Sequence, residues 1–220
     1  MSVKFEIGFH ASLTEEANDG LLDQQQLGYV VAANIAQDLL QTQSAVHFDN
    51  CDFPGAVDHI AAQWAVIDEI GDHYADSALA AFGALLHTTQ DFYAHSNWIE
   101  LHEQVAPIPV WDQKLASLPA GIISGTWLLG FPKLCPSGTP SHSQLNKDSP
   151  KSKEGAKIVA SGPNKGETLF DLAYATAFAA TKVQYARFAN VKLGPLAREA
   201  SDADAVGVII RTQQELRAVF

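Results

Sequence analysis

The chain has 220 residues, 47% of them hydrophobic, enough to bury one sizeable core as a single domain. Its formal net charge is −11, and no basic stripe interrupts the acidic balance, so binding to nucleic acid is not expected; a small phosphate ester stays compatible, because bound cations would offset several carboxylates. The start, MSVKFEIGFH, lacks the apolar run of a signal peptide and nothing later approaches a membrane span, which leaves a cytoplasmic protein, export by a signal-independent route, or a piece of a longer chain.

In chain order, His10 stands just before Ser12-Leu-Thr-Glu15, a capping-box pattern for a short first helix, and local sequence reads it as a surface histidine. A second helix is expected from about Asp23 to Thr42, with Leu27, Val30, Val31 and Ile35 on its apolar stripe. Asp38 continues that stripe, and an acid on a buried face is costly unless it is paired or bound to a metal. His47 precedes Asp49 and Asn50, which read as cap or turn residues. A third helix follows from about Phe53 to Ile70, with Phe53, Val57, Ile60, Trp64 and Ile67 facing the core. His59, His73 and Tyr74 read as exposed.

Ala78 to His102 is the most informative stretch. Read as one helix, it carries Ala84, His87, Asp91, His95, Trp98 and His102 down one face. His87, Asp91 and His95 fall at i, i+4 and i+8, and helical drift of only about 40° per step lets all three enter one pocket. Imidazole and carboxylate together suit zinc or a similar divalent ion. Phe92, Tyr93 and Trp98 are more in keeping with core packing than with an apolar approach for a lipid.

Pro107 and Pro109 then break the chain, and residues 112–131 suggest a short or interrupted helix. From Pro132 to Lys165 runs a long polar loop with six of the fourteen basic residues, and it contains His142 and Asp148. A helix from about Glu167 to Asn190 and a final amphipathic helix from about Asp202 close the chain. Cys51 and Cys135 allow at most one bridge, and free buried thiols are the expectation. With no sustained strand alternation, the fold class is all-α: a single-domain helical bundle.

The phrases FHASLTEEA, NIAQDLL, HFDNCDF, LLHTTQDFYAHSNWIELH and SHSQLNKD together resemble the zinc-dependent phospholipase C superfamily, which includes single-strand-specific nucleases. Within it the chain is most similar to the Het-C (heterokaryon-incompatibility C) type. The resemblance implies a helical fold around a cluster of two or three Zn2+ ions. It implies that Asp38, His47, His87 and Asp91 hold one ion, that His95, His142 and Asp148 hold a second, and that His10 holds a third with Asp91 bridging. Two features depart from the family. Its phospholipases use a mature N-terminal tryptophan as a ligand, whereas this chain begins Met-Ser, nine residues ahead of His10. Its last ligand is a glutamate four residues after a histidine, where this chain has Asn146.

These implications set the functional expectation of a metal-dependent phosphoric-ester hydrolase, a phospholipase C-type phosphodiesterase or phosphatase. Asp38 would serve the attacking water, and phosphatidylcholine would be the first substrate to try. Peripheral contact with a membrane would accompany such a substrate. The alternatives are a non-catalytic, metal-stabilised interaction or toxin domain of a self/non-self recognition system and, disfavoured by the acidic balance, a single-strand nuclease. A di-iron bundle is set aside because no paired Glu-x-x-His occurs, and an HD-type hydrolase because no histidine is followed directly by aspartate.

Overall fold

The computed structural model describes residues 7–70, 74–194 and 196. Among them the fold is all-α, with helices α1 (Ile7–Glu16), α2 (Gln24–Ala36), α3 (Phe53–Ile70), α4 (Ala75–His95), α5 (Trp98–His102), α6 (His142–Leu145) and α7 (Leu169–Phe188). No strand forms among the described residues. Isolated bridges, including Gln43 with Phe131 and Ser96 with Ser124, tie irregular segments to the helices.

Helix α4 is the axis of the bundle: α2, α3 and α7 pack around it, and it is buried from Ala78 to its end. Small residues permit this. A side chain at Gly83 would meet the Val30 carbonyl at 2.3 Å, so α2 approaches α4 as closely as backbone allows. Large side chains fill the other faces, with Phe82 stacked on Phe188 at 4.1 Å and Phe92 on Trp111 at 4.5 Å. Each such ring contributes about 1.5–3 kcal/mol relative to exposure. That burial offsets the cost of enclosing the polar residues in the lower half of the same helix. Phe92, Tyr93 and Trp98 are core residues.

Several boundaries differ from the sequence reading. Ser12 lies inside α1 instead of capping it, because starting at Ile7 places His10, Leu13 and Ala17 on one inward face. Helix α2 starts near the expected Asp23, which forms a capping box with Gln26, but it ends at Ala36, short of Thr42, and passes into a 3-10 turn, Gln37–Leu39. The stretch from Ala78 to His102 is not one helix. Ser96 turns extended and pairs with Ser124, so Trp98 and His102 leave the stripe. Residues 112–131 form no α-helix, only a 3-10 turn at Leu115–Ser117. Their backbone groups bond to other segments instead, as in Asn50 N–H to the Gly125 carbonyl and Phe131 N–H to the Thr42 carbonyl.

The cysteines are not free: Cys51 and Cys135 form a disulfide across 84 residues of sequence. His59 is half-buried, not exposed, and its Nε2 makes no hydrogen bond among the described residues. His73 and the final helix lie outside the described residues. No helix among those described is long and apolar enough to cross a membrane.

Candidate metal centre

Five of the eight histidines converge on the lower half of α4. His87, Asp91 and His95 come from α4 itself, and α1 contributes His10. The 3-10 turn Ser44–His47 contributes His47, and the short α6 contributes His142. In each of three groups the potential ligand atoms lie within 4.8 Å of one another: His10, His87 and Asp91; Asp38, His47 and His87; Asp49, His95 and His142.

Asp91 joins them. Its Oδ2 is 2.9 Å from His47 Nδ1 and 3.0 Å from His87 Nε2, while its Oδ1 is 3.2 Å from His10 Nε2 and 3.7 Å from His95 Nε2. On the far side, His142 Nδ1 is 2.8 Å from Asp49 Oδ1, and His95 Nε2 is 3.0 Å from Asp148 Oδ1. Every one of these side chains is buried; Asp38 is half-buried as a residue, but both its carboxylate oxygens are closed to solvent. All eight residues nominated from sequence are therefore gathered in one region.

The imidazoles are oriented for binding. His10 Nδ1 donates to Gln90 Oε1 at 2.6 Å, His87 Nδ1 to Asn34 Oδ1 at 3.3 Å, and His95 Nδ1 to the His47 carbonyl at 2.8 Å. Each bond places a proton on Nδ1 and turns Nε2 inward, the orientation metal-ligating histidines use. Gln90 and Asn34 are held in turn: Asn34 Nδ2 donates to Thr14 Oγ1 and to Gln90 Oε1, and Gln90 Nε2 to Thr181 Oγ1.

Without a metal, protons balance part of this buried charge. Burial opposes charge on His95, yet the Asp91 and Asp148 carboxylates outweigh it and lift its pKa to about 10. Desolvation pushes equally buried His87 well below its ordinary value. Burial also works against charge on Asp91, but His95 and His87 hold its carboxyl well below the usual range. One Asp148 oxygen, Oδ2, is buried with no hydrogen bond among the described residues. Four carboxylates and five imidazoles, with nitrogen and oxygen atoms about 3 Å apart, are donors of the type and spacing that suit a divalent ion: ligands about 2.0 Å from zinc in a tetrahedron stand roughly 3.3 Å apart. The donor set fits a metal.

Sequence reasoning missed four residues here. Asp49 reads as a turn residue, and it does occupy a turn: Phe48, Asn50 and Cys51 all have left-handed backbone, with φ of 50°, 57° and 58°. That conformation costs roughly 1–3 kcal/mol per non-glycine residue and is kept where surroundings enforce it. Asn34 and Gln90 signalled themselves only as polar residues on apolar helix faces. Lys147 lies fully buried, its ammonium donating to the Ser96 and Leu145 carbonyls and to Glu100, which anchors the backbone beside Asp148. The loop from Pro132 to Lys165 is thus folded into the centre, not merely solvated.

Fold and site together define an all-α protein with buried His/Asp groups positioned to bind metal. Residues 9–111 match the family model of the VWA7 N-terminal domain. The chain is also similar to human von Willebrand factor A domain-containing protein 7, at 38% identity over 88 residues that cover 36% of this chain and 9% of that protein. The chain thus spans only a small part of its relative's length. No solved structure matches.

Proposed function

We propose that this chain is a zinc-dependent phosphoric-ester hydrolase of phospholipase C type, using two or three ions. The observation that carries the reading is the aim of His10, His87 and His95: each Nε2 faces the pocket while an oxygen acceptor holds its Nδ1. Two divalent ions would balance the charges of Asp38, Asp49, Asp91 and Asp148. Bound there, such ions supply Lewis acidity toward a phosphoryl oxygen and a water that ionises near neutral pH. His47, His87 and Asp91 would hold one ion, and Asp49, His95 and His142, with Asp148 beside them, a second. Asp38 accepts the proton of the attacking water at its carboxylate. Gln90 and Asn34 keep the imidazoles in the binding tautomer.

Elemental analysis of the purified chain should find two or three zinc-like ions. Turnover of phosphatidylcholine, or of a soluble phosphodiester, should then be lost in Asp38→Asn without loss of fold. Full activity in that variant removes Asp38 from the mechanism. A second reading, a non-catalytic metal-stabilised domain of a larger protein, is favoured by the burial of nearly every ligand, since structural sites are closed whereas catalytic ones keep an open position. It expects bound metal and a metal-dependent rise in stability with neither substrate turned over.

A further inference from the structure

The segment Trp127 to Leu134, WLLGFPKL, projects large apolar side chains into solvent. Leu128 is 79% exposed, Leu129 54%, Phe131 64% and Leu134 54%; Leu39, in the turn beside Thr42 and Gln43, is 78% exposed. Isolated exposed leucines need no explanation, but a run of them on one tip does.

The tip is pinned at its base. Asn50 Nδ2 donates to the Trp127 and Gly130 carbonyls, and Asn50 Oδ1 accepts from Trp127 N–H. Phe131 exchanges backbone hydrogen bonds with Thr42 and Ser44, Leu134 N–H donates to the Asn50 carbonyl, and the Cys51–Cys135 disulfide closes the base. With its backbone so engaged, the tip is not free to fold its side chains back onto the core.

Its electrostatics oppose the rest of the chain. Residues 113–147 contain no aspartate or glutamate in a protein of net charge −11; of their three lysines, Lys114 pairs with Asp112 at 3.4 Å and Lys147 with Glu100 at 2.9 Å, which leaves Lys133 as the cation of the tip. Lys147 is buried; Lys133, exposed beside the tip, lies over the Phe131 ring at 5.1 Å. The tip also leads to the metal centre. Trp127 contacts the His142 ring at 5.3 Å, and a side chain at Gly125 would meet His142 Cα at 2.4 Å.

We propose that the Trp127–Leu134 tip docks the protein on an anionic phospholipid surface. The leucines and Phe131 enter the acyl boundary while Lys133 stays at the headgroups, the division of labour used by interfacial anchors. As a route for substrate this rests on the hydrolase reading. As a docking surface it does not, and vesicle binding is scored without turnover, so the two can fail separately.

The test is sedimentation of the full chain with phosphatidylcholine vesicles, with and without phosphatidylserine. The wild-type chain should partition onto the anionic vesicles. Leu128→Ser with Phe131→Ser should reduce that partition at least tenfold with unchanged circular dichroism. Lys133→Glu should weaken it severalfold on anionic vesicles alone. No sedimentation with either vesicle, or equal partition of the double variant, overturns the proposal. A concentration-dependent dimer that the double variant disperses, without vesicle binding, also overturns it and assigns the tip to a second copy of this chain.

Discussion

His87, Asp91 and His95 are delivered to the centre by a single buried helix, whereas Asp49 and Asp148 arrive on irregular backbone and His142 on the first residue of the four-residue α6. On α4 the 3.6-residue repeat aligns the three side chains, and neighbouring helices lock the rotamers. On the other side nothing periodic acts. The placement depends on left-handed residues around Asp49, on the disulfide next to it, on Gly125 lying against His142, and on buried Lys147 beside Asp148. Helical ligands come almost without extra cost once the bundle forms, while loop ligands need a dedicated anchor apiece.

That contrast can be broken most severely at Asp91, which belongs to both regions. Asp91→Asn should drop bound metal below one ion per chain and lower stability by about 3–5 kcal/mol, since it leaves buried partners uncompensated. Elemental analysis and denaturant unfolding read the two effects; retention of both ions would make the regions independent. Cys135→Ser should act on the loop side alone, reducing stability by up to about 4 kcal/mol through the freed 84-residue closure and releasing one ion while the α4 side keeps its own. Asp49→Asn should release that same ion with a smaller stability loss, and an unchanged metal count would hand the role to Asp148.

The smallest effect is a pH dependence of the chelated protein. The raised pKa of His95 stabilises fully below its unfolded value near 6.5, and that contribution is lost as pH climbs toward about 10. His59 acts in the opposite direction: desolvation lowers it to about 4, so stability falls as pH drops from 6.5 toward 4. Thermal unfolding should show both limbs, and His59→Leu should flatten only the acidic one.

How much of this the sequence discloses follows the same division. The bounds of α3 and the His87-Asp91-His95 stripe could be read directly, because burial and the placing of candidate ligands there both obey helical periodicity. Asp38 was legible as an acid on an apolar stripe. The break at Ser96 was not, because it arises from pairing with Ser124, and the pairing of Cys51 with Cys135 depends on distant segments meeting. Asp49 was hidden by chemistry: aspartate is a natural turn former, and here one residue is both turn and candidate ligand. His10 gave a local signal of surface placement, because what buries it is the packing of α1 against α2 and α7.

The central placement of Asp91 has a thermodynamic consequence. Its two oxygens face different histidines but belong to one planar group, so filling either side orients the carboxylate for the other. If each side holds an ion, as proposed, their affinities are linked, and by reciprocity each ion would change the binding of the other by the same factor. An equilibrium zinc titration would then read the sharing of Asp91 as a departure from two independent sites.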